Sequence, residues 1–334
     1  KEYRRQRQMC IRDRVGFFEV LKNYSFFRQL FVQTKHWIKQ NQPKAVLLVD
    51  YPGFNLRLAE ALKAEGVSCK GGGKVRVIQY ISPQLWAWKP KRRFKMEKFI
   101  DSLAVIFPFE VECYRDVELP VFFVGHPFVS SNYESSVRLD EEGPMLLMPG
   151  SRSQPIQRIL PVFLDAYQYL IRRFPELKAC VPVPDKKIQN LVCSILDGHP
   201  LIKDRIEVCG NEKDLTGCVA LMSSGTMSLA CALEGLPGAI AYRAHPLTYL
   251  LGKGLINVKR LGMANLLLPE RPPYTEFIQG AATGKNLSKE IERILTNQEA
   301  REDFSTSSKK LKKILYQDQD CELIEWVTKE AGFE

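Results

Sequence analysis

The feature that most constrains this chain is a repeated pairing of a short apolar run with a longer helical stretch. Ala45-Val-Leu-Leu-Val49 ends in Asp50 and leads into helical text over Leu56–Ala64. Runs of this length, apolar throughout and bounded by turn residues, fit strands buried on both faces of a parallel sheet. The pattern recurs at Val75–Ile81, Ser102–Phe107 and Val121–Val124, with a basic helical stretch after the first of these. It restarts beyond the polar, turn-rich Arg138–Gly143. Strands are predicted at Met145–Met148, Leu177–Val183, Ile206–Cys209, Val219–Met222 and Ala239–Tyr242. Helices are predicted at Ile156–Phe174, Lys186–Leu196 and Met227–Leu236, with a further one near Leu30–Gln40 and closing ones at Ser288–Leu295 and Arg301–Lys329. Such alternation means α/β layers on parallel sheets. A chain of 334 residues suits two domains of this kind. The expected organisation is a first domain over 15–140, a second over 141–300, and helices over 301–334 that return toward the first.

Charge narrows the partners. The net charge is +10, from 48 basic and 38 acidic residues, and the excess is uneven. Lys89–Lys98 holds six basic residues against Glu97 alone, and Lys1–Arg14 holds six basic against two acidic. The latter segment has neither helical nor strand periodicity and is expected to lie outside the fold as a non-native or disordered extension. The former suits anionic lipid, a phosphorylated substrate or nucleic acid, or is only a solvated face. No nucleic-acid motif accompanies it, so nucleic acid is set aside. No window offers ~20 continuous apolar residues, and no secretory signal opens the chain. Nine cysteines without a Cys-x-x-Cys pair argue against a disulfide framework and a zinc site, and for a reducing, cytoplasmic setting.

Several segments carry chemistry. Met145-Leu-Leu-Met-Pro-Gly-Ser-Arg152 runs from a strand through a Pro-Gly turn toward a helix. Amides at a helix start attract anions, and an arginine can clamp phosphate with two parallel bonds; a plain turn is the alternative. Ser223-Ser224-Gly225-Thr226 stands likewise between a strand and a helix, where it would cradle a diphosphate or simply cap the helix. Asp50, at the carboxyl end of an apolar strand, is placed for general-base work in partly apolar surroundings, or caps the helix that follows. Trp86 and Trp88 precede Lys91, Arg92 and Arg93, a combination that suits a membrane interface. His126 reads as a turn histidine.

Taken together the chain resembles the lipid-A-disaccharide synthase family. The likeness rests on Asp50-x-Pro-x-Phe-Asn55, Ser82-Pro-x-x-Trp-Ala-Trp88, Phe107-Pro-Phe-Glu110, Val124-Gly-His-Pro127, Pro149-Gly-Ser-Arg152, Ser224-Gly-Thr226 and Ala264-Asn265-Leu266, in that order. It implies a GT-B fold of two Rossmann-like domains facing a cleft, the first here lacking its opening strands. It also implies inverting transfer of 2,3-diacylglucosamine from its UDP donor to 2,3-diacylglucosamine 1-phosphate, giving the β-1,6 disaccharide and UDP. Asp50 would be the base, and Arg152, Ser224, Gly225, Thr226 and Asn265 would hold the donor. Trp86, Trp88, Lys91, Arg92 and Arg93 would face the acceptor and the anionic inner surface of the inner membrane of a Gram-negative-type bacterium. The resemblance implies no metal and no cofactor, and it allows a homodimer. Another UDP-sugar GT-B enzyme, or a UDP- or membrane-binding remnant without turnover, are the alternatives.

The chain departs from the family pattern in places. The family's glycine-rich opening loop has no match here. The link from Gly66 to Val75 reads as longer and more flexible than usual. Pro155 and Ala230 stand where the family often has Glu. The second of these would hold the ribose hydroxyls, with Glu234 one turn on.

Overall fold

The computed structural model describes residues 24–210, 214–223, 225–244, 260–316 and 323–332. Lys1–Arg14, Ser224 and residues 317–322 of the closing helical stretch lie outside the described residues. The chain divides into two compact units. The first runs to Val124 and regains the chain from Asp318 onward, and the second is Gly125–Gln317.

In the first unit, α1 (Tyr24–Asn41), β1 (Ala45–Val49), α2 (Pro52–Ala64), β2 (Arg76–Tyr80), α3 (Arg93–Phe99), β3 (Ser102–Val105) and β4 (Val121–Phe123) follow in chain order. The strands form a parallel sheet in the order β1-β2-β3-β4. Its register puts Leu48, Val77, Leu103 and Val105 on one face, packed with Ile38 of α1 and with Leu58 and Leu62 of α2. The opposite face carries Ile78 and Ala104, covered by Trp326 from the helix Leu323–Glu330. The Trp326 indole N–H donates to Ser102 Oγ at 3.3 Å, and Arg76 pairs with Glu330 at 2.7 Å.

Leu47 and Val49 share that second face yet are 40% and 50% exposed. This corrects the expectation that β1 is buried on both faces. The helix Leu323–Glu330 packs over β2 and β3, and no described element covers β1 there. The link before β2 is also tighter than its glycines suggest. Ser68 C=O accepts from the amides of Gly71 and Gly73 at 2.8 and 2.9 Å, closing a short 3-10 turn at Cys69–Gly71.

In the second unit the order is β5 (Val137–Leu139), β6 (Met145–Met148), α4 (Ser153–Leu170), β7 (Ala179–Val183), α5 (Lys186–Leu196), β8 (Ile206–Gly210), β9 (Leu215–Gly217) and β10 (Val219–Met222). Then come α6 (Thr226–Leu233), β11 (Gly238–Tyr242), α7 (Met263–Leu267), β12 (Thr275–Ile278), α8 (Gly284–Thr296) and α9 (Gln298–Leu315). Six parallel strands stand in the order β12-β11-β10-β6-β7-β8. Helix α4 buries Ile156, Ile159, Leu160, Phe163 and Tyr167 at helical spacing. Asp185, Thr283 and Asn297 cap α5, α8 and α9 by accepting from backbone amides. The turn at Arg138–Gly143, read as a domain boundary, falls inside this unit because β5 pairs with β9.

A disulfide joins Cys180 of β7 to Cys209 of β8, a single cross-strand pair that the expectation of no disulfide framework did not include. Pro182 is the register partner of Cys209, so Cys180 lies two residues away on the same face, with Cα atoms 6.6 Å apart. No described helix is long and apolar enough to cross a membrane.

Candidate active site

The strand order of the second unit marks its ligand crevice. From β6 the chain adds β7 and β8 on one side, then crosses to add β10, β11 and β12 on the other. Order therefore reverses between β6 and β10, and open parallel sheets bind ligands at the carboxyl ends of such strands. The turns leaving these two strands are Pro149-Gly-Ser-Arg152 and Ser223–Thr226. They touch. The Ser223 amide donates to Met148 C=O at 2.9 Å, and a Cβ on Gly150 would stand 3.2 Å from Ser223 Oγ.

Both glycines are demanded by the backbone. Gly150 has φ +109° and Gly225 φ +152°, values that side chains other than hydrogen rarely allow. Ser228, fully buried, holds the second turn by donating from Oγ to Gly225 C=O at 2.7 Å. Helices α4 and α6 start from these turns, so two helix N-termini, whose first amides have no partner within the helix, lie at adjacent strand ends. Arg152 is the residue just before α4, exposed and without an ion pair among the described residues. Side by side, these parts can hold a diphosphate.

A family model for lipid-A-disaccharide synthetase matches residues 9–331. The chain belongs to this family. A lipid-A-disaccharide synthase of Coxiella burnetii (strain RSA 331 / Henzerling II) is 33% identical over 86% of this chain and 76% of its own. Lipid-A-disaccharide synthase 1 of Legionella pneumophila (strain Lens) is 35% identical over 94% and 83%. Among solved structures, the UDP-GlcNAc 2-epimerase of Neisseria meningitidis, bound to UDP-GlcNAc, matches with a TM-score of 0.57 at 9% identity, over 95% of this chain and 83% of that one. That likeness shows the fold alone, which is of the GT-B type.

For this lipid-A-disaccharide synthetase family member, the sequence-predicted donor residues fare differently. Arg152, Gly225 and Thr226 come together at the paired turns, while Ser224 lies outside the described residues. Asn265 is 1% exposed and turned inward. Its amide donates to Tyr274 C=O at 2.8 Å and to Glu276 at 2.7 Å, and its oxygen accepts the Tyr274 amide. It braces α7 against β12, and the Glu276 carboxylate takes the Leu261 and Gly262 amides as well. Ala230 is buried within α6. Glu234 caps the far end of that helix and pairs with Lys312 at 3.8 Å. Glu234 stands one turn beyond Ala230, about 6 Å along the helix.

In the first unit Asp50 ends β1 and is exposed, not set in the apolar surroundings expected for it. Asp50 and Tyr51 both take left-handed backbone conformations, with φ 46° and 40°. The basic patch divides. Trp88 is 49% exposed with Lys89 over its ring at 4.9 Å, and Phe94 is 40% exposed. Trp86 is half-buried, edge-on to Phe109 at 5.7 Å. Arg93 is taken up by Asp116 through two bonds of 2.6 and 2.5 Å, which leaves Lys91 and Arg92 as the accessible cations of the three.

Glu110 was named only as part of a motif, yet it is 2% exposed at the turn after β3. Burial pushes its carboxyl up to about 7, against the opposing pull of the Phe107 amide. His126 is buried and accepts the Phe128 amide at Nδ1, and burial lowers it to about 4. That is the environment of a structural turn histidine. Among the described residues no cluster of three metal-ligating side chains occurs.

Proposed function

We propose that this enzyme transfers 2,3-diacylglucosamine from its UDP donor to 2,3-diacylglucosamine 1-phosphate, with inversion, to give the β-1,6 disaccharide and UDP. One observation carries the donor half: two touching glycine turns at the strand-order reversal of the six-stranded sheet, with Arg152 beside them. Helix-start amides and the guanidinium would take the charge that builds on the departing diphosphate. Asp50 would remove the proton of the acceptor's 6-hydroxyl as that oxygen attacks the anomeric carbon. Its exposure at a strand's carboxyl end fits a group that must meet a substrate. Trp88, Phe94, Lys91 and Arg92 would rest on an anionic membrane face, where acylated substrates reside.

Two substitutions test the assignment. Asp50→Asn should cut kcat by ~10²–10⁴ and leave UDP affinity intact. Arg152→Ala should weaken UDP binding and turnover together, because its fork meets the diphosphate in the ground state too. Normal turnover by Asp50→Asn, or unchanged UDP binding by Arg152→Ala, would refute the corresponding role. A UDP-binding protein without turnover is excluded by disaccharide formation from the two substrates.

A further inference from the structure

The end of β1 is held in an improbable shape. Asp50 and Tyr51 are consecutive non-glycine residues with left-handed backbones, φ 46° and 40°. Tyr51 moreover precedes Pro52, and a residue before proline is pushed toward extended conformations, not helical ones. Strain of this kind persists only where the surroundings over-determine it.

Asn55 supplies that constraint. It is 8% exposed, in the first turn of α2, and its side-chain amide has two hydrogens. One is donated to Val49 C=O at 3.0 Å and the other to Asp50 C=O at 2.5 Å. The two carbonyls that flank the Asp50 peptide unit are thus tied to one planar group. Below them, Tyr51 C=O accepts the amides of Phe54 and Asn55, each at 3.1 Å. The Tyr51 ring sits between Phe27 and Phe54, 6.3 and 6.4 Å away. The Asp50 amide is fixed from β2 by Tyr80 C=O at 2.9 Å. Of these anchors, only the Asn55 amide reaches the Asp50 carbonyl from a side chain.

We propose that Asn55 is the positioning residue for Asp50: its amide locks the left-handed turn that aims the Asp50 carboxylate. The inference rests on Asp50 being the base, as proposed above. Without the two donors, the Asp50–Tyr51 turn relaxes toward the extended backbone that Pro52 favours, and the carboxylate leaves its working direction. A displacement of ~1 Å at a reacting group costs on the order of 10² in rate. Asn55 touches no reacting atom, so substrate affinity is untouched.

The test is a mutant cycle read by kcat, by KM for each substrate and by UDP affinity. Asn55→Ala and Asn55→Asp should each lower kcat about 10²-fold, with KM and UDP binding unchanged. The Asp variant keeps the side chain's size but sets an oxygen against the two carbonyls, and thermal melts of both variants show that kcat is read on folded protein. Adding Asn55→Ala to Asp50→Asn should cost nothing further in kcat, because the positioned group is already gone. Normal kcat in both Asn55 variants beside an inactive Asp50→Asn would overturn the positioning role alone. Losses that multiply in the double mutant would overturn it too, since Asn55 would then act independently of Asp50. An active Asp50→Asn would instead strike down the base itself, whatever the Asn55 variants do.

Discussion

Replacing Glu110 by glutamine should flatten the pH dependence of the first unit's stability. The Glu110 carboxyl is 2% exposed, and burial raises it from 4.5 to about 7. Because the folded value is the higher one, the folded protein keeps a proton that the unfolded chain releases as pH climbs above 4.5. The stabilisation is therefore complete below 4.5 and is lost as pH rises through about 7. At about 1.4 kcal/mol for each pH unit, that interval corresponds to roughly 3 kcal/mol. The amide side chain of E110Q would be neutral throughout and could still accept the Phe107 amide. The assay is urea unfolding followed by tryptophan fluorescence from about pH 4.5 to about pH 8, which spans the folded and unfolded values. All four tryptophans, Trp37, Trp86, Trp88 and Trp326, belong to the first unit, so the signal reads that unit. His126, lowered to about 4, works in the opposite direction, but it is the same in both proteins and cancels in the comparison with E110Q. The native protein should lose about 3 kcal/mol across the range relative to E110Q. Parallel curves for the two proteins would refute the buried, protonated carboxyl.

Two further outcomes follow from the donor turns and the basic patch. Gly150→Ala adds a methyl at φ +109° and 3.2 Å from Ser223 Oγ, so UDP affinity by calorimetry should fall at least tenfold, about 1.4 kcal/mol. Gly210→Ala, with open space around it, should bind UDP as before. Lys91→Ala with Arg92→Ala should weaken binding to anionic vesicles by up to ~1 kcal/mol per cation, less at high salt. Arg93→Ala should mainly release Asp116 and leave vesicle binding nearly intact.

Much of the element order was legible because parallel strands and their helices announce themselves locally. Lys186–Leu196 and Val219–Met222 lie where periodicity puts them, since a buried apolar run and an amphipathic face are each written in consecutive residues. The helix Leu323–Glu330 belongs to the first unit, the return expected of the closing helices, but the end of α9 at Leu315 was not foreseen, since the stretch Arg301–Lys329 reads as helical throughout. The Cys180–Cys209 bond was equally invisible, because it depends on the register of two strands and not on any spacing. Asn265 shows the limit of carrying a motif across: the residue is there, but burial and three hydrogen bonds give it a bracing task.

By itself the sequence determined the α/β class, the family, and the chemical character of Asp50, Arg152 and the two glycine turns. These follow from residue types and short-range order, and both are present in the unfolded chain. Tertiary structure alone decided that the turns after β6 and β10 touch, since strands far apart in the chain become neighbours only when the sheet closes its order. It also decided which charges are spoken for. Arg93 is drawn to Asp116, 23 residues on, and Arg76 to Glu330 near the far end of the chain. A side chain's role is fixed by what it meets, and a hydrogen-bonding partner brought in by the fold outweighs the preference of the residue alone.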